Sequence, residues 1–214
     1  MRDNRRIVAL VGAVVALVVV VGVVLGCTSD ARRVRALATS LMESYVPVGE
    51  DADEAQRQAW ASADFGDPVT SQALAAAGVD VDAWHRACMA NLSFEVGDVS
   101  VEKDHATASV TITNQSLSAA LDVAAAQFQP VLDGEEGQQL LAEGGRQALV
   151  DRLAQCTLDA LLANAQPVTT AVEVGFAKDG HGDWAPQVSG DAAFFSALYG
   201  GTDVVNGFGV AAQQ

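Results

Sequence analysis

The pattern of apolar and polar residues divides the chain into an apolar leader and a longer segment of globular character. Residues 7–26 contain no charged side chain, and residues 1–6 before them are mostly basic and polar. A helix of about 20 residues spans roughly 30 Å, the thickness of a bilayer core. The leader therefore predicts either a cleaved export signal or an uncleaved transmembrane anchor over residues 1–26.

Helical spacing recurs along the rest of the chain. In the first such stretch, which Asp30 opens, Val34, Leu41 and Tyr45 fall on one face of a helix. Acidic or hydroxyl residues precede several stretches, as expected of residues that cap helix N termini. The predicted helices run from residue 30 to just before Pro47, over 51–63, 71–77, 116–128 and 147–165, after Asp80, and from Ser189 or Asp191 to Gly200-Gly201.

Two stretches instead alternate with period two, as strands with one buried face do. The first pairs residues 99–101 with residues 106–113 across a short turn. Gly97 shifts the alternation of this hairpin, which predicts a bulge or a short loop. The second pairs residues 172–176 with residues 184–188.

This order of helices and hairpins predicts an α+β fold. An N-terminal membrane or signal helix is followed by helices packed on an antiparallel, curved sheet of about four strands. We divide the chain into a signal or anchor segment, a short tether, one α+β domain and an irregular C-terminal tail, which are residues 1–26, 27–30, 31–201 and 202–214.

The boundary of the leader carries a recognisable motif. Val24-Leu25-Gly26-Cys27 resembles the lipobox of bacterial lipoproteins, with Val24 in place of the usual leucine. The resemblance implies cleavage before Cys27 and attachment of diacylglycerol to its thiol, an anchor that holds stably once two acyl chains are present. The alternative is that Cys27 ends a transmembrane helix. Arginines flank the leader on both sides, so the positive-inside rule does not decide between the two. Both predict a domain on the outer face of the bacterial cytoplasmic membrane.

The whole pattern also resembles a family. The lipobox, the hairpin of residues 99–112, the segments 172–176 and 182–184, and the last helix are similar to small bacterial lipoproteins of unknown function. Their domains resemble the nuclear-transport-factor-2-like, or cystatin-like, fold, which implies a curved sheet around a cone that can hold a small ligand. The helical stretch 117–165 departs from the plain family layout, and the family implies no catalytic residues.

Charge narrows the range of partners. The chain has 12 basic and 27 acidic residues, of which the leader holds three and one, so the remainder has a formal charge of −17. Such a surface repels phosphate backbones and anionic lipid heads. It excludes nucleic acid as a partner and suits a soluble domain or one that binds cations or basic partners.

The cysteines leave two interpretations open. With Cys27 lipidated, Cys88 and Cys156 form an even pair in an oxidising compartment. A bridge between them would close a loop of about 68 residues and contribute roughly 4 kcal/mol on the chain-entropy model. Alternatively, both are buried free thiols, which are common in cores. No Cys-x-x-Cys pair occurs, so a thioredoxin-type site is not expected.

Other chemistry is sparse. Asp179, His181 and Asp183 alternate in a turn and could converge on a cation, but we favour a solvated hairpin tip over a metal site. No phosphate-binding loop or nucleophile elbow occurs, so we predict no cofactor, no metal site and no catalytic residues. We therefore expect a membrane-anchored lipoprotein whose domain binds a small ligand or a protein. The alternatives are an enzyme with a cone-shaped cavity and a structural envelope protein.

Overall fold

The computed structural model describes residues 29–205. The lipobox, including Cys27, and the end of the tail lie outside these residues, so the predicted lipid attachment stays a prediction. Between residues 29 and 205, no helix is both long and apolar enough to cross a bilayer.

Seven helices and four strands make up the described chain. The first helix, α1, covers residues 29–43 and so already includes two residues assigned to the tether. The others follow in this order: α2 Glu54–Ala61, α3 Pro68–Ala76, α4 Val81–Met89, β1 Ser93–Glu102, β2 His105–Gln115, α5 Leu117–Asp133, α6 Glu135–Leu162, β3 Pro167–Lys178, β4 Trp184–Pro186 and α7 Ala192–Leu198.

The strands form an open antiparallel sheet in the order β1-β2-β3-β4. In its centre Val110 lies opposite Val96 on one side and Val172 on the other. The register of β1 shifts between Val96 and Val99, which confirms the bulge predicted from Gly97. The α+β class and the four-stranded antiparallel sheet are thus as predicted.

The core lies on one face of this sheet. Alternate residues of β2 and β3 point inward because side chains alternate along a strand, and α1 and α7 cover this face with aromatic and aliphatic side chains. The rings of Tyr45, in the turn that follows α1, and Phe194 on α7 meet edge-on at 5.7 Å between centroids. The largest side chains with less than 2% exposure are Tyr45, Tyr199, Phe176, Phe194, Phe195, Met42, Met89, Ile112, Leu117, Leu161 and Leu198.

Helix starts mostly follow the predicted caps. Asp80 accepts hydrogen bonds from the first backbone N–H groups of α4, and Asp191 does the same for α7. Helix α3 starts earlier than predicted, because Pro68 occupies its first turn, where a missing N–H costs nothing. Helix α5 likewise continues through Pro130, in its last turn, to Asp133.

Residues 116–166 form a helical insert between two strands that pair directly. Gln115 at the end of β2 lies opposite Pro167 at the start of β3, so a tight turn could join them. The insert instead consists of α5, which packs mainly on α6, and α6, which also packs on α4. The segment before Gly144, predicted as a turn, is helical and belongs to α6.

Helix α6 folds back on itself at a glycine. Gly145 has φ +64° and ψ −152°, a conformation that side chains with a Cβ rarely adopt. Nε of Arg152 lies 3.0 Å from Oε1 of Glu136, whereas a straight helix would hold these residues about 24 Å apart. The predicted break at Gly144-Gly145 is therefore a sharp reversal.

The start of the C-terminal tail packs on the domain. Thr202 and Val204 are buried, and the Thr202 hydroxyl accepts a hydrogen bond from the backbone N–H of Ser118 at the start of α5. Residues up to 205 thus help to fasten the base of the helical insert.

Candidate functional site

Large apolar side chains are exposed mainly on the helical insert. Seven such residues in the described chain are more than a third exposed, and five of them belong to α5 or α6. We call Leu132, Leu141 and Leu153, which are 48%, 48% and 40% exposed, the leucine surface. Exposed apolar groups of this size commonly mark binding surfaces when they cluster.

The fold-back of α6 brings together the chain segments that carry these leucines, because Arg152 after the reversal pairs with Glu136 before it. Leu132 precedes the α5–α6 turn, which is tight. A Cβ added at Gly137 would lie 3.4 Å from Cα of Leu132 and would clash with the carbonyl oxygen of Val131. Leu153 follows Arg152, which is paired with Glu136 on the other side of the reversal. Leu141 lies on the short helical segment between them.

The surroundings of the leucine surface are acidic. The helical insert has seven acidic residues and two basic ones, Arg146 and Arg152. Arg152 is already paired with Glu136, and that interaction, with the nearby Cys156 sulfur, raises the pKa of its guanidinium. The acidic residues of the insert are Asp122, Asp133, Glu135, Glu136, Glu143, Asp151 and Asp159.

A second feature is a buried polar cluster between α3 and α4. Asp67 precedes α3 but does not cap it, because its carboxylate turns to His85 on α4 instead. Oδ1 of Asp67 lies 3.0 Å from Nε2 of His85 and accepts a hydrogen bond from the Ser71 hydroxyl, also at 3.0 Å. The ring of Phe65 stacks on His85 at 3.9 Å, and Asp67 is only 3% exposed.

These three side chains do not form a catalytic triad. In a triad the histidine contacts the carboxylate with one ring nitrogen and the serine with the other. Here Asp67 and Ser71 both approach Nε2 of His85, and the serine proton is directed to the carboxylate. The imidazole therefore cannot take the proton from Ser71, and the arrangement serves to join α3 to α4.

Groups beside this cluster are kept protonated. Burial raises the pKa of the Cys88 thiol well above its ordinary value, and the charge of Asp67 adds to that effect. Burial likewise raises the pKa of the Tyr199 hydroxyl, with further contributions from Cys88 and Asp67. Neither group is a ready nucleophile, because the anion is the reactive form.

A third feature is an open cleft of about 670 Å³ between the end of α1, the loop that follows it and α2. Ala52, Ala55 and Ala59 form one wall. Glu43 and Asp51 also line it, and neither forms a salt bridge within residues 29–205. Its size falls within the range of small-molecule sites, and its charge would suit a cation.

The two predicted cysteines lie on helices that pack together. Cys88 on α4 and Cys156 on α6 are both buried, and both are free thiols in the structure. Nη1 of Arg152 donates a weak hydrogen bond to Sγ of Cys156 at 3.4 Å. A bridge in the oxidising compartment stays a prediction.

The remaining candidate residues are dispersed. The Asp179 carboxylate accepts hydrogen bonds from the backbone N–H groups of Asp183 and His181, which hold its pKa below the usual value. This is the bonding of a hairpin tip, and no group of three potential metal ligands occurs in residues 29–205. Trp60, Trp84 and Trp184 are buried in the core.

Comparison with known proteins adds little. The sequence matches no known family model, and no curated protein gives a significant match. Among solved structures, the chain is similar to the crystal structure of ycdA, a candidate lipoprotein from Bacillus subtilis, with 14% identity and a TM-score of 0.46. The match covers 79% of this chain and 55% of that one, so the chain spans about half the length of that protein. Similarity at this level shows neither a family nor a function.

Proposed function

We propose that this protein is a lipid-anchored binding protein on the outer face of the bacterial cytoplasmic membrane. Cys27 carries the lipid, and the helical insert binds a protein partner through the leucine surface. The lipobox supports the anchor, and the alternative of a retained single-pass helix would hold the domain at the same place. The predicted nuclear-transport-factor-2-like fold stays part of this proposal.

The observation that carries the proposal is the placement of exposed leucines on an inserted element. A hairpin turn would suffice to join β2 to β3, so the insert is not needed to complete the sheet. Exposed apolar area is not stabilising to a free protein, and it becomes favourable when a partner removes it from water.

Charge indicates which kind of partner fits. A second copy of this chain would bring an equally acidic insert to the interface, and like charges placed close together cost several kcal/mol. A surface with an apolar centre and a rim of lysine and arginine would match both the leucines and the surrounding carboxylates. We therefore propose a basic protein as the partner.

Photo-crosslinking in cells that make the full-length protein tests this proposal. Benzoylphenylalanine is placed at Leu141, and in a matched control at Val69, which is 57% exposed on α3. We expect an adduct with a second protein only from position 141, and the crosslinked peptide should contain lysine or arginine beside apolar residues. Adducts from both positions, from neither, or with a second copy of the chain would overturn it.

The anchor is tested separately by intact mass. Purified membrane-associated protein is expected to begin at Cys27 and to carry the mass of the added lipid. A chain that retains residues 1–26 with an unmodified thiol contradicts lipidation. In that case, without lipid on Cys27, a Cys27→Ala variant should partition into detergent like the wild type.

The cleft beside α2 favours a second candidate function, which is binding of a small cation. Its lining carboxylates and its volume are the specific observations. Calorimetric titration with spermidine should show saturable binding. Ala55→Trp should abolish this binding, because the larger side chain fills the cleft. Binding that survives this substitution would place spermidine elsewhere on the acidic surface.

A further inference from the structure

The end of the domain nearest the anchor differs in charge from the rest. We call it the anchor end: the first turns of α1, the β1–β2 turn and the β3–β4 turn. Nζ of Lys178 lies 3.0 Å from Oδ2 of Asp30, which fastens α1 to the end of β3. The backbone N–H of Lys178 also donates a hydrogen bond to the carbonyl oxygen of Asp104 at 2.9 Å, which joins the β1–β2 turn to the end of β3.

Basic and acidic residues are equal in number at the anchor end, in contrast to the rest of the described chain. Five basic and five acidic residues lie there, whereas the rest of the described chain has four basic and 21 acidic residues. The anchor-end residues are Arg32, Arg33, Arg35, Lys103 and Lys178, with Asp30, Glu102, Asp104, Asp179 and Asp183. The negative charge of the domain is therefore concentrated away from the anchor.

Two arginines of α1 are available for an outside partner. Arg32 and Arg33 are exposed, and neither forms a salt bridge within the described part of the chain. Arg35, one turn further on, donates to the carbonyl oxygen of Val96 at 3.0 Å and so is partly engaged.

The covalent spacing keeps these arginines close to the membrane. Residues 29–33 are helical and rise about 1.5 Å each, and only Thr28 separates Ser29 from Cys27. Even a fully extended link leaves Arg32 and Arg33 within roughly 15 Å of the anchored sulfur. The screening length at physiological salt is about 8 Å, so this upper bound is about two screening lengths.

We propose that Arg32 and Arg33 dock the anchor end on anionic lipid headgroups and thereby orient the domain. The acidic remainder is repelled from the same surface, so the helical insert faces away from the membrane. The insert leaves the sheet at the opposite end of β3, roughly 35 Å from Lys178. This inference rests on the proposed anchor, but not on the identity of the partner of the insert.

Energy transfer in proteoliposomes tests the orientation. Full-length lipidated protein carries a donor dye on His181→Cys at the anchor end, and a parallel sample carries it on Gln139→Cys in the insert. Native Cys88 and Cys156 are buried and should not react. The acceptor is a headgroup-labelled lipid in vesicles of either phosphatidylglycerol or phosphatidylcholine.

We expect stronger transfer from position 181 than from position 139, with the difference larger in phosphatidylglycerol and reduced in 1 M salt. Each basic side chain near an anionic surface changes the docking equilibrium roughly fivefold, so Arg32→Gln/Arg33→Gln should lower it on the order of 25-fold. The matched control Arg57→Gln/Arg146→Gln, which removes two exposed arginines elsewhere, should leave it unchanged.

The inference would be overturned if energy transfer is the same in both lipids and is changed by neither double variant. Equal loss in both double variants would also overturn it, because it would show a dependence on total charge alone. Flotation of the vesicles is measured on every sample: protein that fails to float lacks an anchor, which refutes the proposed function rather than the orientation.

Discussion

The body of the protein and its helical insert use apolar side chains in different ways. In the body, Phe194, Met42 and Phe176 are at most 1% exposed and pack on the inner face of the sheet. In the insert, Leu132 and Leu141 are each 48% exposed. Both regions bury apolar side chains in the core, but five of the seven exposed large apolar residues of the described chain belong to the insert.

The ion pairs of the body and of the insert also differ in how deeply they are buried. The body hides Asp67 against His85, where an unpaired charge would be costly. The insert places Arg152 and Glu136 with 37% and 53% of their side chains exposed. The buried pair should matter to folding, and the exposed pair should contribute little.

The largest effect on stability is expected from Phe194→Ala. Removal of this fully buried ring should lower the free energy of unfolding by about 3–5 kcal/mol, because a cavity is added to the lost burial. Denaturant unfolding measures this loss. A loss below about 1 kcal/mol would contradict the close packing of Phe194 in the core.

The next largest effect is expected from Asp67→Ala, which should lower the free energy of unfolding by about 3 kcal/mol. The substitution leaves buried His85 and half-buried Ser71 without their shared acceptor. The matched control is Glu54→Ala, whose partner Arg57 lies 3.7 Å away on the surface, and it should cost at most about 0.5 kcal/mol. Equal effects from both would contradict the structural role of the cluster.

Within the insert, Gly145→Ala should cost about 1–3 kcal/mol. Space is not the reason, since a Cβ would meet nothing within 4 Å; the cost comes from the positive φ at the reversal. Gly49→Ala, also in open space but with an ordinary φ, is the control and should be neutral or slightly stabilising. A neutral Gly145→Ala would show that α6 can be straightened without loss.

The smallest effect is a pH dependence at Asp82 in the body. The hydrogen bond from Trp60 Nε1, at 2.8 Å, and the pairing with Arg86 hold the pKa of this carboxyl below 3.8, its ordinary value. The stabilisation that the ionised Asp82 carboxylate gives the folded state is therefore complete above pH 3.8 and is lost as the pH falls through the folded pKa. Thermal unfolding of wild type and Asp82→Asn should converge once the pH falls below the folded pKa of this carboxyl. The effect is small because 56% of the side chain is exposed.

Local signals made much of the fold predictable. Asp80 and Asp191 cap helices because the capping oxygen lies within three residues of the N–H groups it accepts from. The shift at Gly97 was likewise visible as a break in alternation. These features depend on neighbouring residues alone, so a single sequence contains them.

The candidate sites depend on distant residues and were not predicted. Asp67 meets His85 only because of the angle at which α3 reaches α4, and no spacing rule links the two. Leu132 and Leu141 are chemically the same as core leucines, and helical periodicity does not say which stripe stays uncovered. The only available signal was the length of the stretch 117–165, which exceeds what a sheet connection needs.

The most direct test of the central claim combines stability with partner capture on Leu132→Gln/Leu141→Gln. The control is Val46→Gln/Val69→Gln, which alters two exposed residues of the body. We expect denaturant midpoints within error of the wild type for both variants, and at least a tenfold loss of the crosslinked partner on co-purification for the insert variant alone. An insert variant that unfolds earlier yet still retains the partner would show that these leucines serve folding rather than binding.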